Sequence, residues 1–251
     1  MEGTIFNRAM VFDETLSTQD AAARACVGLP TDHQATMVVA SRQLMGRGSR
    51  AQNWYDAFSC TLPTSIAIGP EYLKLSNANI SARAGLATLD AIGRAAPDHR
   101  FAVKWPNDIH AMLHHNTERK IAGVLIEYAR DSIVIGIGIN CTQAISDFHP
   151  EIQGSAVSLK QLGSNVSRID LACMLIDSLH YWFAVASEDE VLAHWNANDA
   201  LVGQTRKFVH DNTPYTGKII AINPLSAIRL ETNQGVQVLP ADQTRILKTS
   251  E

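Results

Sequence analysis

The chain has 251 residues, 46% of them hydrophobic and 18% charged, a balance that sets aside a disordered chain and leaves room for one large domain or a larger domain with a small appendage. The formal net charge of -4 argues against general attraction to nucleic acid, which needs Lys and Arg to neutralise phosphates. Cys26, Cys60, Cys141 and Cys173 stand singly, and neither a basic leader nor a long apolar run occurs, so a soluble, cytoplasmic protein with reduced thiols and no membrane or DNA partner is expected.

In chain order, Ser17-Thr18 reads as a helix N-cap before the Ala-rich run Asp20 to Ala25. Met37 to Ala40 looks like a buried strand running into the glycine-containing GRGSR stretch. Asn77 to Ala96, rich in Ala and closed by Pro97, is a predicted helix. Phe101, Val103 and Trp105 then alternate along a short strand that ends in KWPND, where Pro106-Asn107 signals a turn.

Ile121 to Ala129 and Ile133 to Ile139 predict an antiparallel hairpin. Its second arm contains Gly136 and Gly138, which weaken a strand and so point to close approach of a ligand or another backbone. Arg168 to Ala186 has Leu171, Leu175, Leu179 and Phe183 at helical spacing. After Asp199, short strand-like runs suggest a small β-barrel from about Leu201 onward. His110 and His114 stand at i, i+4 spacing beside His115, but no HExxH carboxylate accompanies them, so no metal ligands are assigned.

Four segments carry the chemistry: STQD (Ser17 to Asp20), RQLMGRGSRAQNW (Arg42 to Trp54), KWPND (Lys104 to Asp108), and KIAGVLIE with GIGIN (Lys120 to Glu127, Gly136 to Asn140). In the second, Gly46 and Gly48 let backbone N–H groups approach an anion, and Arg47 supplies a planar fork suited to carboxylate or phosphate. Together with AVSL (Ala156 to Leu159), these segments resemble the biotin protein ligases in order and spacing over about Phe12 to Leu159.

The resemblance implies two steps: biotin and ATP give biotinyl-5'-adenylate, and a lysine of a biotin carboxyl carrier protein, such as that of acetyl-CoA carboxylase, then displaces AMP. Magnesium is implied with the nucleotide. Arg47, Lys120 and Asp108 take the catalytic roles, Lys120 by stabilising developing charge and Asp108 by orienting or deprotonating the incoming amine. Ser17, Thr18, Gln43, Gly46, Arg47, Lys120, Gly123, Leu125, Gly136 and Gly138 would form the biotin site. Arg47, Gly48, Arg50, Trp54, Lys104, Asn107 and Asn140 would face ATP or the adenylate.

Alternatives stay open for some of these: Asp108 is also a turn former, Lys104 a strand residue and Trp54 a core tryptophan. Where many members carry a second arginine, this chain has Ser49, followed by Arg50, a departure that bears on retention of the adenylate.

The fold implied is α+β, a mixed sheet flanked by helices and related to class II synthetase folds, over residues 1–200. A small SH3-like barrel would occupy 201–251. Relatives often carry a Gly-Glu strand where this chain has Pro240 to Gln243, so barrel contacts to ATP are not implied. A homodimer is compatible with the family, and an N-terminal DNA-binding domain is not expected. The rival readings are a lipoate or octanoate ligase or transferase of the same superfamily and a non-catalytic binder of biotin or its adenylate.

Overall fold

A computed structural model describes residues 3–25, 35–49, 53–56, 59–69, 72, 74–113, 117–129 and 132–247. Seven strands form the first sheet: β1 (Phe6–Thr15), β2 (Ala35–Gln43), β3 (Thr61–Ile68), β4 (Arg100–Lys104), β5 (Asp108–Met112), β6 (Glu118–Ala129) and β7 (Ser132–Asn140), in the order β1-β2-β3-β7-β6-β5-β4. Only the β1–β2 pair is parallel, so the sheet is mixed as expected. The predicted hairpin is β6 with β7, in register from Ala122↔Ile139 to Ala129↔Ser132.

KWPND does more than end a strand. It turns β4 back into β5, setting Lys104 directly opposite Asp108. His110 therefore lies on a strand and not on a helix, which removes the i, i+4 geometry; His114 and His115 lie outside the described residues.

Helix α1 (Thr18–Ala25) rests on β2, β3 and β7. Helix α2 (Asn77–Ala95) starts at Ser76, whose hydroxyl accepts from the Asn79 N–H, and buries Ile80, Ala84, Leu86, Ala87 and Ala91. Each large apolar side chain so buried contributes about 1.5–3 kcal/mol.

The run from Arg168 to Ala186 is α-helical only as α3 (Arg168–His180), and Tyr181–Val185 widens into a π turn. The reason sits on α2: buried Arg83 donates to the carbonyls of Trp182 and Ala186, groups a widened turn leaves free. Helix α4 (Glu188–Asn198), which periodicity did not reveal, begins at a Ser187–Glu190 capping box.

The C-terminal strands β8 (Thr205–His210), β9 (Thr213–Asn223), β10 (Ala227–Thr232), β11 (Gly235–Pro240) and β12 (Thr244–Ile246) make a second, antiparallel sheet in the order β11-β10-β9-β8-β12. No ladder joins β11 to β12 among the described residues, so the expected barrel is present as a five-stranded sheet. It abuts the end of β4 at Trp105 and Phe208, whose ring centroids are 6.2 Å apart, and the segment leading into it is tied to β4 by Ala200 N–H to Val103 O at 2.9 Å. No described helix is long and apolar enough to cross a membrane.

Candidate active site

The floor of the site is made where β6 and β7 pair, with Gly123 opposite Gly138 and Leu125 opposite Gly136. The side chains that press on these glycines come from the chain itself. A Cβ on Gly138 would stand 2.4 Å from the Trp54 ring, one on Gly136 3.0 Å from the Gln19 amide, and one on Gly123 3.0 Å from Lys120 Nζ. The absent side chains make room for these three residues, which together with Gly123, Gly136 and Gly138 line a small cavity of about 80 Å³.

Thr18, Gln43 and Ser65 form a chain of hydrogen bonds in this cavity's wall. The Thr18 N–H and hydroxyl both donate to Gln43 Oε1, at 2.8 and 2.9 Å, and the Ser65 hydroxyl donates to Thr18 Oγ1 at 2.8 Å. Gln19 Oε1, Thr64 Oγ1 and Trp54 Nε1 are buried without partners, and all three residues line the cavity. Such groups cost about 1–3 kcal/mol each when nothing answers them, so their convergence fits a ligand with several donors and acceptors. Ser17, just outside the lining, also keeps a buried hydroxyl without a partner. Thr64 and Ser65 escaped sequence reasoning; their signal is polarity within β3, a strand buried along its length.

A loop closes over the cavity. Arg47 bridges to Asn53, and the Trp54 N–H donates to the Gly46 carbonyl at 3.0 Å. Gly48, Ser49 and Trp54 line the cavity beneath, while Arg50 lies outside the described residues. The Arg47 guanidinium grips Asp20 at 2.8 and 3.2 Å and Glu127 at 3.0 and 3.3 Å. Arg47 lines the cavity as expected, and its fork also latches the loop to α1 and β6, with hydrogen bonds that hold the Asp20 carboxyl below the usual range.

At the cavity's other end Lys120 Nζ meets Asp108 Oδ1 at 2.6 Å, both half-buried, with the Trp54 ring centroid 5.9 Å from the ammonium. The backbone fixes Lys120 firmly, its N–H donating to Ser155 O and its carbonyl accepting from the Val157 N–H. Asn107 is tied to the middle of β6, its side-chain amide donating to Val124 O at 2.5 Å and its carbonyl accepting from the Val124 N–H.

Asn140 differs from expectation. It is buried and lines neither cavity, its amide donating to Val157 O at 3.1 Å and accepting from Gln143 at 3.1 Å. Held by the chain on both faces, this side chain braces the Lys120 segment.

A second, larger cavity opens between the two sheets, with Lys104, Lys120, Asp108 and His110 on one wall and Arg206, Asp242 and Arg245 on the other. Thr244, Arg245 and Ile246 of β12 line this cavity, so the C-terminal sheet reaches the cleft. Ser49, Asn107, Lys120, Val124 and Leu125 line both cavities, which makes them one continuous cleft with the Lys120–Asp108 pair at the junction. Lys104 Nζ is 2.5 Å from Glu118 Oε1. Burial, then the charges of Lys104 and Lys120, push the His110 pKa down to about 3, so the imidazole is neutral. Among the described residues no three His, Cys, Asp or Glu side chains converge as a metal cage.

The model of the Biotin/lipoate A/B protein ligase family matches residues 12–143. The Bacillus subtilis bifunctional ligase/repressor BirA is 24% identical over 242 residues, covering 93% of this chain and 72% of that one. The biotin--[acetyl-CoA-carboxylase] ligase of Mycobacterium tuberculosis is 30% identical over 209 residues, covering 81% and 71%. The Aquifex aeolicus biotin protein ligase in complex with biotin and ATP has the same fold, with a TM-score of 0.82 at 22% identity over 97% of this chain and all of that one.

Proposed function

The chain belongs to the biotin/lipoate A/B protein ligase family, and from that premise we infer that it is an ATP-dependent biotin protein ligase that forms biotinyl-5'-adenylate and passes the biotinyl group to a carrier lysine. The observation that carries this reading is the junction. One lysine–aspartate pair stands where a polar-walled cavity, with Arg47 on its loop side, opens into a larger one lined by Lys104, Arg206 and Arg245.

In this reading the ureido group lies against Thr18, Gln43 and the unpartnered atoms of Gln19 and Thr64, which suit its N–H donors and carbonyl better than they suit a lipoyl dithiolane. The valeryl chain runs over Gly123, Gly138 and Leu125 toward Lys120. A carboxylate oxygen attacks the α-phosphorus of ATP, the bond to the β-phosphate oxygen breaks, and pyrophosphate leaves. Lys120, shifting from Asp108, offsets the charge on the transferring group. Trp54 and the Arg47-latched loop cover the mixed anhydride and keep water from it. In the second step the freed Asp108 carboxylate orients the acceptor amine and takes its proton as the amine attacks the acyl carbon and AMP departs.

Lys104 and Asn107 face the phosphates. Magnesium enters with the nucleotide and keeps several of its waters. The acceptor is the carrier domain of an enzyme such as acetyl-CoA carboxylase, the enzyme for which the Mycobacterium tuberculosis relative is named. A homodimer through β1, the outermost strand of the described sheet, belongs to the same reading, and sedimentation would test it.

Incubation with biotin, MgATP and a purified carrier domain is expected to raise the carrier's intact mass by one biotinyl group. Adenylate formation without any mass gain would reduce the protein to a binder of the intermediate. Pyrophosphate exchange driven by lipoate and not by biotin would move it to the lipoate branch.

A further inference from the structure

His110 sits in the wall of the larger cavity, 8% exposed, and its Nδ1 has no hydrogen-bond partner. Glu118 Oε2 is likewise buried without one, and the two atoms are 3.7 Å apart, just beyond hydrogen-bond range. The other oxygen of Glu118 is held by Lys104. Lys120 lies directly across the ladder from His110 and is occupied with Asp108. The neutral imidazole thus stands between two ion pairs, with an idle nitrogen turned toward a carboxylate that already has a cation.

That arrangement matters once a polyanion enters. A polyphosphate in the basic cavity competes with Glu118 for Lys104, and a largely buried carboxylate, its Oε2 already without a partner, is disfavoured when stripped of its cation beside more negative charge. We propose that His110 is a positioning residue for the nucleotide end: when polyphosphate draws Lys104 away, the His110 Nδ1–H takes over the Glu118 carboxylate. This rests on reading the larger cavity as the nucleotide site. A neutral imidazole carries one N–H, so the exchange selects the Nδ1–H tautomer, because the other would turn a lone pair toward the carboxylate. The burial and lysine charges that keep the ring neutral also leave it free to choose between tautomers. Nothing in the exchange touches the biotin cavity, which His110 does not line.

The test combines kinetics with a direct view of the ring. His110→Phe, which keeps the packing and removes the donor, is expected to raise KM for ATP about tenfold, the loss of one hydrogen bond to a charged group, with kcat and KM for biotin little changed. His110→Asn, whose amide can stand where Nδ1 does, is expected to restore most of the loss. In a Glu118→Gln background, where no charge needs a new partner, the Phe effect should shrink to under about twofold. Histidine 15N spectra of the full chain should move to the Nδ1-protonated pattern on adding inorganic triphosphate, and should not in E118Q.

An unchanged KM for ATP in H110F, or an equal effect in E118Q, overturns the exchange, as does a ring that ignores triphosphate. If the wild type instead catalyses no biotin-dependent pyrophosphate exchange, the ligase reading fails on its own account. The triphosphate titration still decides the His110 exchange in that case.

Discussion

At the closed end of the cleft the wall opposite Arg47 is neutral: Thr18, Gln43 and Ser65 hydrogen-bond among themselves, three buried polar atoms wait for partners, and the glycine floor supplies shape. At the open end Lys104, Glu118, Lys120 and Asp108 are already paired. A neutral ligand can be met by groups left unpaired at modest cost, whereas charges left unpaired in a half-buried site would be far more expensive. The closed end is therefore built to be filled, and the open end to exchange partners. Lys120 belongs to both, and that is where the comparison is most easily broken.

Lys120→Met should have the largest effect. It removes the ammonium at the junction and leaves Asp108 facing both substrates, so biotin-dependent pyrophosphate exchange is expected to fall by at least about 10²- to 10³-fold, while circular dichroism and the melting transition stay close to wild type. Exchange within a few-fold of wild type would take Lys120 out of the first step. Asp108→Asn is the next test. It should slow transfer from preformed adenylate to the carrier by about 10²-fold and adenylation by much less. Equal losses in single-turnover measurements of both steps would reduce Asp108 to a partner of Lys120.

The closed end answers to shape and not charge. Gly138→Ala puts a methyl into the space held by the Trp54 ring, so KM for biotin should rise roughly tenfold, the order of one methyl group in a tight pocket. Adding Trp54→Ala should relieve much of that rise if crowding of the indole is the cause. An unchanged KM in G138A would show that the ring and the ligand do not share that space.

How far each end could be read from the residues follows the same division. Gly136 and Gly138 announced the floor because glycine weakens an apolar, β-branched strand and so implies a neighbour that presses close to its backbone, and GRGSR announced a loop beside it. What the glycines could not disclose is who approaches them, since Gln19 and Trp54 lie far away in the chain. Partners of charges were legible least. Arg47 and Lys104 looked free because Asp20, Glu127 and Glu118 reach them only through sheet pairing and loop closure. The motif placed Asn140 near the site but could not disclose that its amide is held by Val157 O and the Gln143 side chain. The hairpin of β4 with β5 was hidden by the shortness of DIHAM, too brief for alternation to stand out.

The smallest expected effect concerns the latch that both ends share. Asp20, Arg47 and Glu127 are all partly exposed, and ion pairs of that kind contribute little to stability, so their value lies in where they hold the loop. The folded Asp20 carboxyl titrates below its unfolded counterpart. The latch is therefore at full strength above the unfolded value of about 3.9 and weakens as pH falls through the lower folded one. Asp20→Asn should reproduce that weakening at neutral pH, with a few-fold faster escape of preformed adenylate and faster proteolysis within the loop, while KM for ATP stays unchanged. Salt should do the same in wild type and less in D20N, because screening can only weaken a pair that is charged. Equal salt dependence in the two proteins would assign loop closure to Trp54 and leave the Asp20 contact without a role in holding the intermediate.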